Sequence, residues 1–392
     1  MVNILISGDF CPYSRVSELI DSNEYAKIFG DDLVSLISKS DYSLVNLECT
    51  ILSDSKAIPI DKCGPNLKQN KKVLDALNYA GFDCVTLANN HFSDFGNPGV
   101  TDTLNALQEA NFDFVGGGIN LADAQKILYK KIKDKTVAII NICETEFTIA
   151  SESDGGSNPI DLISNFYHIK EAKKKADFVL IIIHGGSEHY QLPTPRMQKN
   201  YRFFVDSGAD AVINHHQHCY SGYEIYNGKP IFYGIGNFSF DSAQKRNGIW
   251  NEGCQVSLSL SADKINFKLI PYIQGNDSPG IVLMNKEEEE KFFKKIEELN
   301  SIIANPVLLK EHHNEFMEKT YMDYISIFSP YQNNILRKLL KKNLLPGFIS
   351  KEFPKYWAKD RTLNLISFMQ CESHIERCLY SLKHHFRTNI KL

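Results

Sequence analysis

Thr86-Leu-Ala-Asn-Asn-His-Phe-Ser-Asp94 is the stretch on which the reading of this chain turns. It overlaps the apolar run from Phe82 to Leu87, which reads as a buried strand. Where that strand should end, the sequence supplies two amides, an imidazole and a carboxylate. Burying such groups is costly unless they bind a metal or one another, and the carboxyl ends of strands in an open α/β sheet are where ligands sit. The same residues would also suit a plain turn, with Asn89 and Asn90 capping the next helix and His91 on the surface.

Working outward, short apolar runs alternate with amphipathic segments through the first two-thirds of the chain, the signature of α/β architecture. Strands are expected at Asn3 to Ser7, Tyr42 to Leu47, Thr136 to Ile142, Phe178 to Ile183, Ala211 to Ile213 and Pro230 to Tyr233, with a hairpin from Gln255 to Ile270. Helices are expected near Asp31 to Ser38, Asn70 to Ala80, Val100 to Ala110 and Ile163 to Ala176. Gly81 suits a helix C-terminus. Gly116-Gly117-Gly118 reads as a turn, and Ser151 to Asn158 as a loop.

Strand after strand delivers an acid, an amide or an imidazole at the same end: Asp9, Glu48, Asn90 with His91, His184, then His215, His216 and His218. Isolated turns have no reason to repeat that choice. In an extended segment His216 and His218 would share one face and His215 the other. Two carboxylates, an amide oxygen and several imidazoles form a mixed oxygen and nitrogen set, suited to manganese or magnesium and equally to zinc or iron. The set is too large for one tetrahedral ion. A pair of ions a few ångströms apart would use it, clamping a phosphoryl group and sharing a hydroxide nucleophile.

Composition narrows the class. At 392 residues, 43% hydrophobic and 23% charged, the chain is an ordinary globular protein long enough for more than one domain. A net charge of -4 argues against a general nucleic-acid sleeve. Met1 to Ser7 enters a β-like run with no basic leader, and no apolar stretch reaches the roughly 18 residues of a membrane span, so a cytoplasmic location is expected. Nine cysteines without a spacing framework point to reduced thiols. Phosphate-loop and nucleophile-elbow motifs are missing. Cys371, His374 and Cys378 would share a helical face, where thiols are usually core.

Beyond about residue 282 the pattern turns helical. Residues 1–282 are expected to form the α/β domain and 283–392 a helical extension, with Lys286 to Leu299 read as a solvated helix. Ile335, Leu336, Leu339, Leu340 and Leu344 make an apolar stripe. Lys351, Lys355, Lys359 and Arg361, with Phe353, Tyr356 and Trp357, extend its basic flank. Packing within the chain is the expectation for that stripe, and contact with an anionic membrane the alternative.

Taken in order, Gly8-Asp9, Asn46-Leu47-Glu48, Leu87-Ala-Asn-Asn-His91 with Asp94 and Gly96, Val115-Gly-Gly-Gly118, His184 with Glu188, Gly208-Ala-Asp-Ala-Val212, His215-His-Gln-His218 and Gly236-Asn-Phe238 resemble the CapA family of poly-γ-glutamate capsule synthesis. That family lies within the calcineurin-like metallophosphoesterase superfamily. The resemblance covers roughly residues 3 to 272. It implies a four-layer αββα sandwich of two mixed β-sheets. It also implies two divalent ions (Mn, Zn, Fe or Mg) held by Asp9, Glu48, Asn90, His184, His216 and His218, with His91 as general acid and Glu188 orienting His184 or touching substrate. Three departures stand out. The superfamily's Asp-x-His motif is here Asp9-Phe10-Cys11. Asn214 stands where a glycine usually precedes the histidines, leaving the register between His215 and His216 open. Capsule members often carry a membrane anchor, and no such segment is visible here.

The resemblance implies a metal-dependent phosphoesterase-like hydrolase in capsule, poly-γ-glutamate or surface-polysaccharide synthesis, acting on a phosphorylated or polymeric precursor. Its rival is a non-hydrolytic accessory subunit bound to a polymer synthase or export complex, which a weakened metal site would favour.

Overall fold

The computed structural model describes residues 1–53, 56–262, 264–328 and 360–389. Residues 1–60 and 66–310 form one compact unit, and residues 61–65 and 311–392 belong to a second.

In chain order the first unit runs β1 (Val2–Phe10), α1 (Arg15–Asp21), α2 (Asp31–Ser38), β2 (Tyr42–Leu47), α3 (Lys72–Ala80), β3 (Cys84–Thr86), α4 (Gly96–Glu109) and β4 (Asp113–Val115). It continues through β5 (Leu128–Ile132), β6 (Lys135–Cys143), α5 (Leu162–Lys175), β7 (Phe178–His184), α6 (Pro195–Ser207) and β8 (Ala211–His215). It closes with β9 (Tyr223–Tyr226), β10 (Lys229–Phe232), β11 (Asn237–Ser239), β12 (Glu252–Ser261), β13 (Lys264–Gln274), β14 (Ile281–Leu283) and α7 (Lys286–Ala304).

One sheet has the order β14-β13-β12-β1-β2-β3-β4, with β11 also paired to β1. The second has the order β9-β10-β8-β7-β6-β5. Both are mixed. β1, β2, β3 and β4 run parallel, as do β6, β7, β8 and β10, while the outer strands are antiparallel. Strand alternation decides the layers. Ile4, Ile6 and Leu44 point into a core shared with Ile139, Ile181 and Ile213 of the other sheet. Leu5 and Val45 point the opposite way, into a core with Val16, Leu33, Leu74 and Leu107 of α1 to α4. Ile169 of α5 and Phe204 of α6 cover the far face of the second sheet. The result is the expected four-layer αββα sandwich.

Apart from the edge strand β4, the parallel strands are buried along most of their length, and β2, β3, β7 and β8 entirely so, which explains their apolar runs. Their carboxyl ends gather on one rim. Gly8 permits the close approach there, since a Cβ on it would lie 1.9 Å from the carbonyl oxygen of Gly236. At the end of α3, Gly81 has φ 88° and closes the helix as its sequence suggests.

Three sequence expectations are corrected. The boundary near residue 282 falls later, because α7 is part of the first unit. Phe292, Ile296, Leu299 and Ile303 repeat at helical spacing and enter the core, while the Glu- and Lys-rich face stays in solvent. Gly117–Gly118 and Gly156–Ser157, read as turn and loop, pair as short antiparallel strands. The histidine segment is not extended: β8 stops at His215, and His216 and His218 have φ of 84° and 53°.

The second unit contains most of α8 (Pro306–Phe328), with α9 (Asp360–Gln370) and α10 (Glu372–Asn389). Cys371 and Cys378 are buried, and the His374 ring lies 4.9 Å from that of Phe368. The stripe Ile335 to Leu344 and the flank Lys351 to Lys359 lie outside the described residues. Among the described residues, no helix is long and apolar enough to cross a membrane, and no disulfide joins the nine cysteines.

Candidate metal centre

Five of the parallel strands, β1, β2, β3, β7 and β8, present polar groups as they leave the sheet. Asp9 sits at a register shift near the end of β1. Glu48 follows β2, Asn90 and His91 follow β3, and His184 ends β7. After β8 ends, the backbone turns through left-handed conformations that side chains other than glycine adopt only at a cost of about 1–3 kcal/mol each. Those turns bring His216 and His218 inward.

The groups converge on Glu48. Its Oε1 lies 3.7 Å from His184 Nε2, 3.9 Å from His218 Nε2 and 4.0 Å from His91 Nε2. Two sets of donors result: Glu48, His184 and His216, and Asp9, Glu48 and His218. Within each set the ligand atoms lie within 4.8 Å of one another. Asn90 joins the first set, its Oδ1 3.0 Å from His184 Nε2, which is also 3.0 Å from His216 Nδ1. His215 falls outside both sets, with Nδ1 3.6 Å from Asp9 Oδ1.

Buried amides hold these groups. Asn46 donates to Asp9 Oδ1 at 2.7 Å, and its own carbonyl accepts from Thr86 Oγ1 and Asn89 Nδ2, both at 3.2 Å. Asp9 Oδ2 accepts the backbone N–H of His216 at 3.1 Å. Asn141 Oδ1 accepts the N–H groups of Leu87 and Ala88, fixing the start of the Asn-Asn-His loop. Asn237 Oδ1 lies 2.8 Å from His218 Nδ1. Asn141 and Asn237 were missed as site-builders in the sequence. The available signal was an amide inside, or at the mouth of, an otherwise apolar strand.

Electrostatics suit a cation. Burial raises the Asp9 carboxyl, but His184, His215 and His218 more than reverse this and hold it well below the usual carboxylate range. Burial pushes His184 down to about 3, and lowers His215 and His216 as well. These imidazoles are therefore neutral at pH 7, the state in which imidazole ligates a metal. Two buried carboxylates, one half-buried amide oxygen and buried imidazoles are a donor set that fits divalent ions.

His91 is held by a carboxylate. Its Nδ1 lies 2.7 Å from Asp94 Oδ2, which also accepts the Leu67 N–H at 2.6 Å, leaving Nε2 toward Glu48. Glu188 is half-exposed and stands 3.9 Å from His189 Nε2. Against desolvation, which raises it, His218, His216, His189 and Lys245 hold its carboxylate at about 2. That places it on the open side near His216 and His218, while His184 is flanked by Asp9, Asn46 and Asn90.

Cys11 lies in the apolar cluster with Phe10, Cys49 and Val16. Burial and the neighbouring Cys49 and Glu48 push its thiol well up, so it stays protonated. It belongs to neither donor set.

The family model described as "Bacterial capsule synthesis protein PGA_cap" matches residues 3–242, more than half of the chain and every residue of the two donor sets. The chain belongs to this family. It is 33% identical over 248 residues to "Capsule biosynthesis protein CapA" of Bacillus anthracis, covering 61% of the chain and 60% of that protein. It is 35% identical over 210 residues to "PGA biosynthesis protein CapA" of Bacillus subtilis, covering 53% and 55%. It is 28% identical over 248 residues to "Probable polyglutamine synthesis accessory protein Rv0574c" of Mycobacterium tuberculosis, covering 58% and 65%. The chain thus spans about 60% of the length of these relatives.

Proposed function

We propose that the chain is a metal-dependent hydrolase of phosphoesterase type, acting on a phosphorylated or polymeric precursor of a capsule, poly-γ-glutamate or surface polysaccharide. The observation that carries this reading is the position of Glu48, whose carboxylate is common to two donor sets at the rim of the sheets. Asp9, Glu48 and His218 would hold one divalent ion, and Glu48, Asn90, His184 and His216 the other. When bound, such ions supply positive charge to phosphoryl oxygens and acidify water.

The remaining steps belong to side chains. Asp94 fixes the His91 ring and stabilises its protonated form, so His91 can give a proton to the leaving oxygen. Glu188 contacts substrate from the open side. The buried donors keep bulk water from the reacting group, which strengthens every charge interaction there.

The test is hydrolysis of p-nitrophenyl phosphate and bis(p-nitrophenyl) phosphate after incubation with manganese, zinc, iron or magnesium. Turnover that His91→Ala lowers by two to four orders of magnitude supports the reading. No turnover with any of these metals would overturn it. A second reading, a non-hydrolytic accessory subunit of a polymer synthase, draws on one observation: Cys11 stands in apolar packing, so the Asp9 set has one ligand fewer than the superfamily motif implies. The name of the Mycobacterium tuberculosis relative, an accessory protein, agrees with it.

A further inference from the structure

Beside the donor sets lies a group of side chains that the proposed chemistry does not use. Trp250 is 6% exposed and packs on His218 with ring centres 4.7 Å apart, on Phe240 at 5.0 Å and on His189 at 5.6 Å. Its indole N–H donates to the Phe240 carbonyl at 2.7 Å. Over the indole face, 4.0 Å from its centre, stands the ammonium of Lys245, which also donates to His189 Nε2 at 2.8 Å.

This lysine is mounted rather than loose. Its backbone N–H is bonded to Ser242 O, and the neighbouring Asp241, fully buried, takes two hydrogen bonds of 2.8 Å from the Arg15 guanidinium. His189 is held in turn with φ 60° and its N–H on Gln217 O at 2.8 Å. Among the described residues, no carboxylate lies within ion-pair distance of Lys245; the carboxylate whose charge acts on it is that of Glu188. Its partners are a neutral imidazole and a ring face. An ammonium has three N–H donors, and this one spends one of them on His189. A fixed cation with donors to spare, over a ring that packs on His218, attracts an anionic oxygen.

We propose that Lys245, with His189 and Trp250 as its mount, forms a subsite for a second anionic group of the substrate, a carboxylate or phosphate next to the group held at the donor sets. The His189 and His218 ring centres are 6.3 Å apart, so the subsite lies one side chain away from the centre. A chain with a carboxylate on every unit would present such a group at every register. The position of the reacting group rests on the hydrolase reading; the binding of the anion does not.

The experiment therefore measures binding without turnover. Full-length protein treated with chelator is titrated by calorimetry with γ-linked pentaglutamate and, separately, with pyrophosphate at constant ionic strength. In parallel, indole fluorescence is followed in a Trp357→Phe background, where Trp250 is the remaining one of two tryptophans. Saturable binding that shifts Trp250 emission, weakened at least tenfold by Lys245→Met and restored by Lys245→Arg, is the expected result. Binding of pentaglutamate alone assigns the anion as a carboxylate, and of pyrophosphate alone as a phosphate. An affinity unchanged in Lys245→Met, or no binding of either probe by the parent protein, overturns the proposal. Absence of hydrolysis with these outcomes intact would count against the proposed function alone.

Discussion

Asn237 Oδ1 lies 2.8 Å from His218 Nδ1, while the Asn237 amide nitrogen points at two backbone oxygens, those of Trp250 at 3.2 Å and His218 at 3.4 Å. Backbone oxygens only accept, so the amide orientation is settled, and its carbonyl must take a proton from Nδ1. In the neutral ring that leaves the lone pair of His218 on Nε2, which faces Glu48. Asn237→Leu, which removes the acceptor, should weaken divalent metal binding by about 10–100-fold. Asn237→Asp should retain most of it. Calorimetric titration with zinc or manganese measures both, and equal affinity in the leucine variant would show that the amide does not set the tautomer.

Cys11 should not ligate. Cys11→Ala is expected to leave metal content unchanged and to lower stability by about 1 kcal/mol, the scale of a lost buried contact. Native protein should also react slowly with iodoacetamide at this thiol, because burial keeps it protonated. Loss of one ion in the alanine variant would put the thiol back among the ligands.

Metal-free protein should lose stability as pH falls below about 6.5. In the fold His184 ionises near 3, against 6.5 ordinarily, because burial disfavours its charged form. A lowered pKa means that the unfolded chain binds the proton more readily, so stability is complete above 6.5 and declines as the pH falls toward 3. His215 and His216 are shifted in the same direction. Urea midpoints of chelator-treated protein should fall steadily from pH 7 to pH 4, and less so in His184→Gln. A flat profile over that window would contradict burial of neutral imidazoles.

Truncation should separate the two units at residue 310 and not at 282. A chain ending after residue 283 loses Phe292, Ile296, Leu299 and Ile303 from the core, each contributing about 1.5–3 kcal/mol. It should be insoluble or melt much lower, whereas one ending at 310 keeps them. Equal melting temperatures for the two shortened chains would argue that α7 is dispensable.

The fold was legible where one period dominated. The Val, Ile and Leu runs of β6, β7 and β8 and the glycine after α3 marked an α/β architecture, the family resemblance supplied the sandwich, and the repeated polar strand ends marked residues that gather at one rim. Two things were hidden. Phe292, Ile296, Leu299 and Ile303 do carry helical spacing, but the Glu and Lys between them masked it, so α7 read as solvated. The histidine cluster followed no period, because His216 and His218 owe their direction to left-handed backbone that only tertiary contacts enforce. Lys245 and Trp250 belong to none of the motifs, and only folding brings Trp250 against His218 and Lys245 over its ring.

The most direct test of the metal centre is the ion content of Glu48→Gln beside that of the parent protein, each reconstituted with manganese or zinc, freed of excess metal and analysed for metal per chain. Because Glu48 is common to both donor sets, the parent should hold two ions and the variant should lose both, while Asn90→Ala should lose chiefly one. A parent protein that holds no metal after reconstitution, or a Glu48→Gln variant that keeps two ions, would contradict the account.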